Sequence, residues 1–119
     1  VRVAVRPGPE AGAHARAARL RRVLIVWDLS LREAAAMFRV PTAEFATWCN
    51  GAVPPERFAA VDDLLAATLR LERRVPTSRV SVVVRRPAPA LGGRSLVELA
   101  RHDGPCAVRA YLRDAAGSA

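Results

Sequence analysis

The sequence has no lysine, only two cysteines and two histidines, and aromatic residues at just 5% of its 119 positions. Each scarcity excludes something. Cys49 and Cys106 stand alone, with no Cys-x-x-Cys spacing and no histidine nearby, so the expectation is a protein of a reducing compartment without a disulfide framework. His14 and His102 are likewise isolated, which leaves no metal-ligand spacing; neither a metal nor a cofactor is expected. The longest strictly aliphatic or aromatic run is Val23–Trp27, far short of the ~20 residues that cross a bilayer, and the arginine-rich start followed by Pro7-Gly8-Pro9 does not read as a secretory signal. A cytoplasmic protein with no membrane partner is expected. No nucleophile has a base at a workable spacing, so an enzyme is not expected.

What the sequence does have is apolar content and positive charge. Hydrophobic residues reach 51%, too many for a disordered chain, and a chain of this length can bury a core without staples. All 19 basic residues are arginine, and the net charge is +8. The absence of lysine is a composition bias of a GC-rich coding sequence; the surplus charge favours a polyanion or an acidic protein as partner. It is unevenly spread. Residues 1–26 carry six arginines against Glu10, residues 27–60 carry three against four acids, and residues 61–119 carry ten against six.

Periodicity and capping signals predict helices. Val1–Glu10 alternates valine and arginine before Pro-Gly-Pro and reads as a flexible arm. From about Ala11, Leu20, Val23, Leu24 and Trp27 fall at helical spacing. Asp28-Leu29-Ser30 interrupts this helix, and Ser30 with Glu33 forms a capping box for a helix over Leu31–Phe38. Thr42 is expected to cap the next helix, which runs to about Asn50 and stops at Gly51. Pro54-Pro55 opens a long helix to about Arg74, with Phe58, Val61, Leu64, Leu65 and Leu69 on its apolar stripe. Thr77 or Ser78 is expected to cap a short helix through Arg85, although Val80–Val84 has strand propensity. Arg86–Arg94 is a loop, Ser95 with Glu98 is a second capping box, and Gly104-Pro105 opens the last helix, with Val108, Tyr111 and Leu112 spaced to pack.

Residues 31–50 fit a helix-turn-helix, in which two short helices pack across a tight turn and the second enters the major groove. Ala34 and Ala35 are small enough for the crossing, Phe38 and Val40 bracket the turn, and Phe45 and Trp48 plug the core. The turn position usually held by glycine is Arg39, which costs energy if φ must be positive. Thr42, Ala43, Glu44, Thr47 and Asn50 would face DNA: Glu44 can accept from cytosine, Asn50 can pair with adenine, and Thr47 can meet a thymine methyl or a phosphate. Thr42 and Glu44 serve equally well as helix caps. Arg39 and Arg57 flank the reading helix as phosphate contacts, or as solvated arginines. The weak charge of this middle segment means that affinity must come from the flanks or from a second subunit, so a homo-oligomer is expected.

The stretch Arg86-Pro87-Ala88-Pro89-Ala90-Leu91-Gly92-Gly93-Arg94-Ser95-Leu96-Val97-Glu98-Leu99 resembles the signature of the MbcA/ParS/Xre-type antitoxins, and the order of elements is similar over about residues 14–116. It departs from that signature at Ala88, often asparagine in the family, at Leu96, usually proline, and in the valine-rich helix before the loop. The resemblance implies an all-α fold: an N-terminal helix-turn-helix domain over 11–75 that includes a long connecting helix, and a small helical toxin-binding domain over 76–119. It sets aside the strand propensity of Val80–Val84. It also implies a partner toxin of the NAD-consuming RES type, whose pocket the C-terminal domain covers, and repression of the chain's own operon by binding operator DNA. Leu91, Gly92, Gly93, Arg94, Arg101, Arg109 and Arg113 are the expected toxin contacts, because arginine forks suit buried carboxylates. The alternative is a stand-alone regulator whose reading head, Leu31–Arg57, resembles those of excisionases and MerR-like proteins; it leaves Leu91–Leu99 without a role.

Overall fold

The computed structural model describes residues 9–117, and among these every regular element is helical. The helices are α1 (Pro9–Trp27), α2 (Leu31–Phe38), α3 (Thr42–Cys49), α4 (Phe58–Arg74), α5 (Thr77–Val83), α6 (Leu96–Asp103) and α7 (Pro105–Gly117), with single 3₁₀ turns at Pro55–Arg57 and Pro89–Leu91. The all-α expectation therefore holds. Most of the arm expected over residues 1–10, with Arg2 and Arg6, lies outside the described residues; Pro9 and Glu10 already belong to α1.

The starts and stops follow local chemistry. Both capping boxes form: the Ser30 hydroxyl accepts from the Glu33 N–H at 3.0 Å and the Glu33 carboxylate accepts from the Ser30 N–H, and Ser95 and Glu98 repeat this at the start of α6. α2 ends in a left-handed residue, Arg39, at φ 56° and ψ 45°. Its N–H reaches Ala35 and Ala36, and the Val40 N–H reaches back to the Ala35 carbonyl, so the turn closes as it would with glycine in that position. Two expected caps are corrected. Thr42 is the first helical residue and not the cap, because the Pro41 carbonyl already accepts the Phe45 N–H at 3.0 Å. α5 starts after Pro76, and the Thr77 hydroxyl is turned away to Glu72. α5 is helical although valine-rich: Val80 and Val84, one turn apart, are fully buried, and packing overrides propensity. It ends at Val83, two residues before the expected Arg85.

One continuous core runs from Ala13 on α1 to Leu112 on α7. Trp27, Trp48, Phe45, Leu20 and Met37 are its largest fully buried side chains. The Trp27 indole N–H donates to the Thr68 hydroxyl at 3.0 Å, and that hydroxyl donates to the Leu64 carbonyl, so the buried polar pair is satisfied. This corrects the apolar stripe expected for α4. Thr68 lies on the buried line with Val61, Leu64 and Leu71, whereas Leu69, one residue and about 100° further round the helix, is 57% exposed. Both cysteines are free thiols, Cys49 buried and Cys106 exposed. No described helix is long and apolar enough to cross a membrane.

Candidate nucleic-acid and partner-binding surfaces

Around the turn between α2 and α3 the packing is aromatic. Phe38 lies 5.6 Å from Phe45 and 5.4 Å from Trp48, and Phe45 lies 5.5 Å from Trp48, centroid to centroid. Ala34 and Ala35 are buried where the helices cross. With Phe45, Trp48 and Cys49 held inward, Thr42, Ala43, Glu44, Thr47 and Asn50 are all exposed on the outer face of α3. Thr47 uses its hydroxyl locally, donating to the Glu44 carbonyl at 2.6 Å. Glu44 is the one charged side chain of α3, so the face can read base edges but supplies no phosphate-binding cation of its own.

The two flanking arginines have intramolecular partners. Arg39 donates to the His102 carbonyl near the end of α6 at 2.7 Å. Arg57 is half-buried, donates to the Phe38 carbonyl at 3.2 Å, and sits 5.6 Å from the Trp48 ring centre. These two are struts. They belong to a wider pattern that sequence reading missed. α1, α2 and α3 carry no basic residue in their last turns, yet each receives an arginine from elsewhere: Arg85 on the Asp28 carbonyl after α1, Arg57 on the last carbonyl of α2, and Arg21 on Cys49, the last carbonyl of α3. Carbonyls at a helix C-terminus lack partners and carry partial negative charge, so a guanidinium there meets both needs.

Ion pairs add to this frame. Arg85 also holds the Glu33 carboxylate at 3.0 Å. That contact, with the Ser30 N–H, lowers the Glu33 carboxyl from its ordinary 4.5 to about 2. Arg22, with Thr77, lowers the Glu72 carboxyl. Arg16 grips Asp62 with two bonds of 2.9 and 2.8 Å and lies 3.9 Å from the centre of the Phe58 ring. Burial raises the Cys49 thiol, opposed by the charge of Arg21.

The expected toxin-binding residues fall into two groups. Leu91, Gly92, Gly93 and Arg94 lie in one loop that closes on itself: the Ala88 N–H donates to the Arg94 carbonyl, and the Gly93 N–H to the Ala88 carbonyl, both at 3.0 Å. Gly92 and Gly93 have φ of 67° and 86°, and a Cβ at either would meet nothing within 4 Å. The glycines therefore serve the turn, and the space over them is open. Leu91 packs against the core, and the Arg94 side chain is exposed and has no partner among the described residues. Arg101 is exposed on α6. Arg109 instead pairs with Asp63 on α4 at 2.9 Å, and Arg113 lies 3.6 Å from Asp114.

Beside the base of this loop is a cleft that was not anticipated. It lies between α4, α5 and α7, is lined by Val75, Val83, Pro87 and Tyr111 with Arg74 and Arg86 at its sides, and has a volume of about 240 Å³. The signal was weak: Tyr111 falls at a packing position, and only the fold brings it opposite Val83. Among the described residues no cluster of three or more potential metal ligands occurs. Comparisons with protein-family models, with curated proteins and with solved structures gave no match to this chain.

Proposed function

We propose that the chain is the antitoxin of a two-protein toxin–antitoxin system, a cytoplasmic, non-enzymatic inhibitor that covers the active site of an NAD-consuming toxin of the RES type and represses its own operon through α2 and α3. The observation that carries this reading is the loop 88–94. It is locked by its own backbone bonds, and it presents two glycines with open space above them next to an unpaired Arg94. A rigid, exposed turn of this kind contributes little to the core and suits contact with a partner. The sequence resemblance supplies the class of partner, and the surplus of arginine over acid in residues 61–119 suits an acidic cleft.

The test is co-expression with the product of the adjacent gene. The expected result is a stable complex and rescue of growth from that product's toxicity, with Gly93→Arg weakening both. A neighbour that is harmless alone and does not bind the chain would sink the reading. A second reading, a stand-alone regulator, is favoured by the exposure of all five candidate base-reading residues on α3. It predicts a salt-sensitive gel shift of upstream DNA by the chain alone, as a homo-oligomer, that Asn50→Ala abolishes.

A further inference from the structure

The cleft between α4, α5 and α7 combines two features that call for a particular ligand. Its floor is apolar, formed by Val75, Val83, Pro87 and Tyr111, and none of its lining residues is acidic. Its sides carry cationic donors that the chain leaves underused. Among the described residues Arg86 has no side-chain partner and the Tyr111 hydroxyl makes no hydrogen bond, while Arg74 commits one nitrogen to the Leu112 carbonyl at 3.2 Å. A volume of about 240 Å³ would hold roughly eight waters at ~30 Å³ each, enough for one leucine- or phenylalanine-sized side chain. We infer that this cleft anchors the partner protein by taking one of its apolar side chains together with an adjacent carboxylate, the former on the Val83–Tyr111 floor and the latter on Arg86 and Arg74.

Charge complementarity selects this occupant. A second copy would bring its own arginine surplus to a basic rim, and DNA would bring phosphate but nothing for the apolar floor. A larger apolar groove between α1 and α4 has two arginines at its edge, of which Arg22 is already held by Glu72 and only Arg19 is left to meet a ligand, and a third groove between α1 and the turn after α3 has Glu10 in its lining. The cleft sits at the base of the 88–94 loop, so a partner resting on the loop can reach it without rearrangement of the helices. The inference rests on the antitoxin reading for the identity of the partner, though not for the chemistry of the cleft.

Two measurements keep the cleft and the reading separable. In the first, the full chain is titrated with the purified product of the adjacent gene. Arg86→Glu, a change at an exposed unpaired residue, is expected to weaken binding at least about tenfold, while the same charge change at Arg79, exposed on α5 outside the cleft, alters it less than about twofold. Equal effects of the two variants, or none, overturn the cleft while leaving the antitoxin reading intact. If the wild-type chain does not bind that product, the antitoxin reading fails, and the second measurement alone decides the cleft. In it, amide and methyl resonances of the full chain are followed during titration with N-acetyl-leucine and with N-acetyl-leucinamide. The carboxylate is expected to shift Val83, Arg86 and Tyr111 saturably and at least about fivefold more tightly than the amide. Equal affinities, shifts that survive Arg86→Glu, self-association that Arg86→Glu abolishes, or a DNA duplex moving the same resonances would each overturn the inference.

Discussion

Arg85 clasps three elements: it reaches from the end of α5 to the Asp28 carbonyl after α1 and to the Glu33 carboxylate in the first turn of α2. Glu33→Gln isolates the charge in that clasp, because glutamine still accepts from the Ser30 N–H and keeps the capping box. The depression of the Glu33 carboxyl from 4.5 to about 2 would correspond to ~3 kcal/mol if transmitted in full to stability. The Glu33 and Arg85 side chains are 30% and 39% exposed, so solvent screening reduces this to about 1–2 kcal/mol. The sign follows from the lowered value. The contribution is complete above the unfolded carboxyl's range, near pH 4.5, and is lost as pH falls toward 2. Urea denaturation followed by the fluorescence of Trp27 and Trp48 should therefore show Glu33→Gln less stable than wild type by about 1–2 kcal/mol at pH 7, with the gap closing at pH 2. A gap that is absent at pH 7, or that persists unchanged at pH 2, would refute the clasp as an electrostatic contact.

Three further outcomes are expected. Arg39→Gly relieves the left-handed backbone whereas Arg39→Ala does not, and both lose the bond to His102, so the glycine variant should be the more stable by ~1 kcal/mol in the same assay; equal midpoints would contradict the strain at this turn. Thr68→Val strands the buried Trp27 indole N–H and should cost about 1–3 kcal/mol, read from the urea midpoint, with no change expected in the exposed face of α3. A thiol reagent should modify Cys106 in the native protein at once and Cys49 only at the rate of unfolding; equal rates would contradict the burial of Cys49.

Local signals carried most of the fold. The two capping boxes, the aromatic pair of α3 and the turn at Arg39 are written in short windows, and each sits as its spacing implies. The misjudged stripe of α4 and the ambiguous composition of α5 depend on partners distant in sequence, whereas the shifted cap at Thr42 is local, set by the Pro41 carbonyl taking the Phe45 N–H. Leu69 matches the apolar period of α4, but Trp27 needs a hydrogen-bond acceptor and draws Thr68 inward in its place. Val80–Val84 has the composition of a strand, and only the presence of a core beneath Val80 and Val84 makes it helical. At the candidate site, the exposure of α3's outer face was legible because its inward residues are large and aromatic. That Arg39, Arg57 and Arg109 are occupied was not legible, because each partner lies 19 or more residues away.

The same distance effect bears on the composition. A sequence with nineteen arginines and no lysine reads as a coding bias, and the bias alone would place the charge anywhere on the surface. Instead, three helices that end without a basic residue of their own each draw an arginine from elsewhere in the chain onto a carbonyl at their end or, for α1, just past it. A planar fork with five donors can hold a carbonyl with one nitrogen and a carboxylate with others, as Arg85 does, which a compact ammonium on a flexible stem does less well. These arginines keep their positive charge while being fixed in place. The charge still free to meet a partner is therefore narrower than +8 implies, and in the C-terminal half Arg86, Arg94 and Arg101 are among the side chains left unpaired. Arg86 and Arg94 flank the closed loop, so that part of the unengaged positive charge borders the surface proposed for a protein partner, whereas the outer face of α3 carries only the negative Glu44.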